Sequence, residues 1–236
     1  MENKVVLITG ANGGLGSVFV KEILKLNPSK IYCTARNIKS LENIKAISDV
    51  VEVIGMDITS KDSINEAVSK IDSLDILINN AGVNSNKKLF DNDFLDLEVN
   101  LKGTVNLTQA LFEKLKTSKG KVVNITSVLA LVNLPILASY CISKSALHSF
   151  TQALRAEFGL FDGEVYEVLP GPIDTKMSEG SSMPKTKPED IVAEVLKSIK
   201  NKEFEIYPDG FSQMVKQRLE DEPEKLMEEF SMSIQG

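Results

Sequence analysis

Residues 5–16 read VVLITGANGGLG. A short apolar run stops at Thr9, a turn carries Gly10, Gly13, Gly14 and Gly16, and an amphipathic stretch follows from Ser17 to Leu26. Strand, glycine turn and helix in that order form the arrangement that cradles a phosphate. The glycines let the backbone turn tightly and approach a ligand closely. The helix start aims unpaired N–H groups and a partial positive charge at an anion. A nucleotide site at the start of the chain is expected, although an ordinary strand–turn–helix junction would read the same on this segment alone.

The rest of the chain alternates in the same way. Short β-branched runs at Val5–Ile8, Ile31–Thr34, Val51–Ile54, Ile76–Ile78, Val122–Ile125, Val165–Leu169 and Phe204–Tyr207 are expected strands. Helical patterns lie between them near 14–26, 39–47, 61–71, 91–116, 137–159 and 188–200. Strands alternating with helices of this length imply an α/β fold, a doubly wound parallel sheet of about seven strands covered on both faces. At 236 residues and 42% hydrophobic content the chain matches one large domain of this kind. The loop at 176–188 is rich in Ser, Gly, Pro and Met, and the tail at 211–236 is charged and helical in character.

Composition excludes several partners. The formal net charge is −6, so no basic footprint for nucleic acid is present. No run approaches a membrane span, and the N-terminus enters the first strand without a secretory-type segment. Cys33 and Cys141 have no metal-type spacing, and no metal site is expected; two buried thiols fit a reducing, cytoplasmic setting.

The dinucleotide fingerprint places an acid about 20 residues beyond its glycines to bind the ribose 2′-hydroxyl. Here that position is Arg36, with no Asp or Glu between Ile31 and Ser40. An arginine can pair with a 2′-phosphate that an acid would repel, so NADP(H) is favoured over NAD(H). A solvated surface charge is the alternative reading.

Further along, Tyr140 and Lys144 stand four apart in YCISK, on one face of a helix. A nearby ammonium and a positive nicotinamide would stabilise a phenolate, lower the tyrosine pKa from about 10 and make it a usable acid or base. Such a spacing also arises by chance. Ser127 ends the preceding strand and could hydrogen-bond a substrate carbonyl, or simply cap a turn. Asn100 and Gly103 interrupt an apolar-periodic stretch, and that local conflict predicts a kink. His148, the only histidine, lies two turns beyond Tyr140 and reads as a packed or interface residue rather than a catalytic one.

Together these motifs resemble the short-chain dehydrogenase/reductase family in its compact single-domain branch. The resemblance rests on Thr9-Gly10-x-x-x-Gly14-x-Gly16, Asp57 in GMDIT, Asn79-Asn80-Ala81-Gly82, Asn100 in EVNLKGT, Ser127, Tyr140, Lys144 and PGPIDT at 170–175, and it runs from about Lys4 to Tyr207. It implies catalytic roles for Asn100, Ser127, Tyr140 and Lys144, with Asn100 ordering a water in a proton relay. It implies cofactor contacts from Gly10, Asn12, Gly14, Leu15, Gly16, Arg36, Asp57, Ile58, Asn80, Ala81, Gly82, Tyr140, Lys144, Pro170, Gly171, Ile173 and Thr175.

The activity implied is hydride transfer between a nicotinamide and a small carbonyl or secondary alcohol substrate, more often reduction. A lightly covered apolar pocket from Leu129, Leu131, Val132, Leu134, Met177 and Met183 is expected, which a partner or the tail could complete. A homodimer through the helices near 91–116 and 137–159, or a homotetramer, follows from the same resemblance. A different class, a dinucleotide-binding regulator or scaffold without turnover, would be expected to have lost the catalytic set that this chain retains.

Overall fold

In the computed structural model, residues 1–91, 94–180 and 182–235 are described. The expected helix at 91–116, loop at 176–188 and tail at 211–236 therefore each include positions outside them.

Seven strands form one parallel sheet in the order β3-β2-β1-β4-β5-β6-β7. They are β1 Val5–Thr9, β2 Lys30–Ala35, β3 Val51–Gly55, β4 Ile76–Asn79, β5 Lys121–Ile125, β6 Glu164–Val168 and β7 Glu205–Ile206. The helices are α1 Gly14–Leu24, α2 Glu42–Lys45, α3 Lys61–Val68, α4 Thr104–Ser118, α5 Ala138–Gly159, α6 Pro188–Asn201, α7 Gly210–Asp221 and α8 Pro223–Ser231.

Both sheet faces are covered, which is why β1 is apolar without alternation. Val6 and Ile8 join one core with Phe19 of α1 and Ile191, Val192 and Val195 of α6. Leu7 joins the other with Leu107, Leu111 and Leu115 of α4 and Phe158 of α5. Phe158 is closed over by Phe112 at 6.0 Å and Phe161 at 4.9 Å between ring centroids. Among the described residues no helix is long and apolar enough to cross a membrane.

Three expected helices differ in the structure. The stretch 39–47 becomes a 3₁₀ turn at Ile38–Leu41 and the single turn α2, because Asn37 caps it early through Lys39 N–H at 3.1 Å. Helix α3 ends at Val68 rather than 71. The long helix expected at 91–116 is not uniform: Leu97–Gly103 winds as a π-helix before α4 begins. That is the kink anticipated at Asn100, in the form of a widened turn.

The sheet order reverses between β1 and β4, so their connections leave in opposite directions. A crevice opens beyond the strands' carboxyl ends at such a point. The glycine turn, the Asn80-Ala81-Gly82 turn, Ser127 and Pro170 all follow strands that end there.

Candidate active site

Thr9 closes β1 and organises the crevice. Its hydroxyl accepts the N–H groups of Asn80 and Ala81 at 3.0 and 2.9 Å. Asn80 replies through its amide, donating to the carbonyls of Thr9 and Gly10 at 2.9 and 3.2 Å. The two turns are thereby locked together. Gly10 adopts φ +62°, which favours glycine, and at Gly16 an added Cβ would collide with the Gly10 carbonyl and lie 2.9 Å from Ala11 Cα. Gly13, at the head of α1, offers no side-chain cap, and no acid sits in the first turn. The leading N–H groups of α1 remain available to an anion.

A buried polar network ties the sheet to the helices that carry the chemistry. Asn79 donates to Thr108 of α4 at 3.1 Å and to Asn124 of β5 at 2.8 Å, and Asn124 donates to Thr151 of α5 at 2.9 Å. The Asn100 amide oxygen accepts Val83 N–H at 2.8 Å, while its nitrogen donates to the Val83 carbonyl and to Ser143 Oγ, each at 2.9 Å. Asn100 thus grips the Gly82 turn and α5 at once.

Ser127, Tyr140 and Lys144 come together at the end of β5. Ser127 Oγ accepts Leu129 N–H at 3.1 Å, so the capping role holds, and its hydroxyl stands close enough to the Tyr140 phenol to act on its pKa. Lys144 is buried, donates to the Ile125 carbonyl at 2.8 Å and lies 5.6 Å from the Tyr140 ring centroid. Burial pushes its ammonium down to about 8, against the raising influence of Asp96 and Glu167. Burial pushes the phenol up; Ser127 opposes the shift, whereas Cys141 and the Asp96 carboxylate add to it.

The remaining predicted contacts divide by what their side chains already do. Arg36 is exposed just beyond β2. The hydroxyl and then the N–H of Thr59 hold Asp57 below the usual carboxylate range, with Arg36 adding to the effect. Leu15 and Ile58 are buried in the core, leaving only their backbones for a ligand. Asn12 is exposed on the glycine turn. Gly171 N–H is taken by Asp209 at 2.8 Å, while Thr175 packs against Gly14. Ile173 pairs with Thr186 beside it. Pro170 is buried, and its carbonyl accepts Val128 N–H at 3.0 Å.

Val132, expected in the pocket, is instead buried with Val128, Val215 and Leu226 under α7 and α8. An apolar residue reads alike whether it faces a pocket or a core. The terminal turn Met232–Gln235 rests against Pro135–Leu137, next to the start of α5. His148 packs away from Tyr140 and faces the buried Glu167, 2.9 Å from both carboxylate oxygens. The roles of Asp209 and of the Thr9 hydroxyl carry no local signal because their partners lie far along the chain, and Asp96 meets Ser85 only through the fold of the intervening loop.

The short chain dehydrogenase family model matches residues 4–185. The chain belongs to the short-chain dehydrogenase/reductase family and is an oxidoreductase. It is similar to a short chain dehydrogenase from Burkholderia cenocepacia solved in complex with NADP, with 32% identity and a TM-score of 0.92 over 97% of this chain and 98% of that one. Among curated relatives, the 3-oxoacyl-(acyl-carrier-protein) reductase FabG of Rickettsia typhi is 33% identical over 75% of each chain. An uncharacterized oxidoreductase of Staphylococcus epidermidis is 30% identical over 77% of this chain and 83% of its own. The uncapped α1 start and the closely packed glycine turn fit the pyrophosphate of the dinucleotide that this family uses.

Proposed function

We propose that this protein is an NADP(H)-dependent carbonyl reductase. The convergence of Ser127, Tyr140 and Lys144 beside the glycine turn carries the reading. A bound nicotinamide supplies the hydride. Ser127 Oγ holds the substrate oxygen and offers a hydrogen bond as negative charge develops on it. Tyr140 delivers the proton to that oxygen, and its raised pKa keeps it in the donating form. Lys144 stabilises the phenolate left behind and anchors the ribose. Asn100 holds the Gly82 turn against α5, next to Lys144.

Three observations support NADP(H) over NAD(H). Arg36 is exposed just beyond β2, no acid stands in residues 31–40, and the structurally similar Burkholderia enzyme was solved with NADP. Replacing Arg36 with Glu is expected to weaken NADPH binding about 10²-fold, the worth of a lost charge-assisted contact plus repulsion. NADH binding should change by less than about threefold, since no phosphate is involved. Equal losses for both dinucleotides in a fluorescence titration would reject Arg36 as the selector.

The segment after Ser127 and the loop after Thr175 carry apolar side chains, Met177 being about half exposed at 48%, and the terminal turn Met232–Gln235 packs next to the start of α5. A ketone or aldehyde with an apolar body matches that lining. Screening such compounds for NADPH oxidation tests the activity directly.

A further inference from the structure

A buried carboxylate stands near the site. Asp96 is 0% exposed and stands one turn before Asn100, at the entrance to the π-helix. Its carboxylate accepts Ser85 N–H at 3.0 Å and Ser85 Oγ at 2.5 Å. Asn100 takes Val83 in the same two-point fashion. The two side chains hold alternate residues of the loop that leaves Gly82.

That loop borders the proton-transfer pair on both sides. An added Cβ at Gly82 would lie 3.7 Å from Lys144 Nζ, and farther on Lys87 accepts the N–H of Ser139, the residue before Tyr140. Asn100 shows that an amide suffices to grip such a loop. A carboxylate at 96 therefore supplies something an amide would not, a fixed negative charge in a medium that screens it poorly. Its field reaches both groups of the pair, favouring the proton-bound form of each. The other groups facing the pair are Cys141 on α5, Ser127 at the end of β5 and Glu167 on β6.

We propose that Asp96 is a positioning residue whose charge keeps the Tyr140–Lys144 pair fully protonated, biasing the site toward giving a proton to a carbonyl. The proposal rests on the assignment of Tyr140 and Lys144 above. It favours reduction over alcohol oxidation at neutral pH.

The test uses Asp96→Asn and Asp96→Ser, two neutral replacements that can both still hydrogen-bond Ser85, so that one serves where the other fails to fold. The rate of ketone reduction by NADPH is followed from about pH 6 to about pH 10, with Tyr140→Phe in parallel. Removing the anion lowers the pKa of Tyr140 by loss of a like charge and that of Lys144 by loss of an opposite one. Both shifts move the alkaline limb of the kcat profile down, by about one pH unit.

A purely structural role would lower kcat by the same factor at every pH and leave the limb in place. A limb that stays or rises, with Tyr140→Phe inactive, overturns the role of Asp96 and leaves the site assignment standing. Activity retained by Tyr140→Phe overturns the site assignment and this proposal with it.

Discussion

Replacing Tyr140 with phenylalanine is expected to reduce kcat for NADPH-dependent carbonyl reduction by about 10²–10⁴-fold, the usual worth of a positioned general acid. The change removes one oxygen and keeps the ring, so the packing of α5 against the π-helix persists. NADPH binding should stay within a few-fold of the parent, because the glycine turn and the α1 start are untouched. The loss should appear in kcat rather than in KM, since the proton is transferred only as the reaction proceeds. Stopped-flow single turnovers at saturating NADPH measure this directly. Unchanged turnover would remove Tyr140 from the chemistry.

The second large effect concerns Gly16. A single added methyl at this position has no room, with Asn80 Nδ2 at 2.8 Å, Ala11 Cα at 2.9 Å and the Gly10 carbonyl closer still. Two of those neighbours are backbone, so the glycine turn itself must shift. Gly16→Ala is expected to weaken NADPH binding about 10²-fold, the scale of loss from a misplacement near 1 Å. Overpacking of this kind also costs about 1–3 kcal/mol, or roughly 2–12 °C in Tm for a chain of this size.

The contrasting variant is Gly159→Ala, at the end of α5, where nothing lies within 4 Å of the added atom. It should gain about 0.5–1 kcal/mol by the ordinary helix preference and leave binding alone. Thermal denaturation and fluorescence titration of the pair decide the matter. NADPH affinity retained by Gly16→Ala would mean that close backbone approach is not what the ligand requires.

Much of this arrangement is visible in the chain because it is local. Strand β1 is legible from five consecutive apolar or β-branched residues, and the turn after it from its glycines. Asn100 with Gly103 in an apolar-periodic stretch signalled a distorted helix, and the π-helix at Leu97–Gly103 is that distortion. The spacing of Tyr140 and Lys144 follows from helical periodicity alone.

Other features depend on residues that meet only after folding. Asp209 reaches back to Gly171 across 38 positions, and Thr9 reaches Asn80 and Ala81 across more than 70. Val132 reads as pocket lining until α7 and α8 are seen to cover it. Nothing in the pattern LDLEVN distinguishes the wholly buried Asp96 from the exposed Glu98 two positions later.

The chain by itself determined the order of its elements and which chemical groups stand at the ends of its strands, because backbone preference and periodicity act over a few neighbouring residues. Only the tertiary structure decided the protonation of those groups. The phenol of Tyr140 is held up and the ammonium of Lys144 is brought down to about 8 by burial, and Asp96 acts on both from another element. Solvation and Coulomb fields are set by what lies nearby in space, and sequence distance does not measure that.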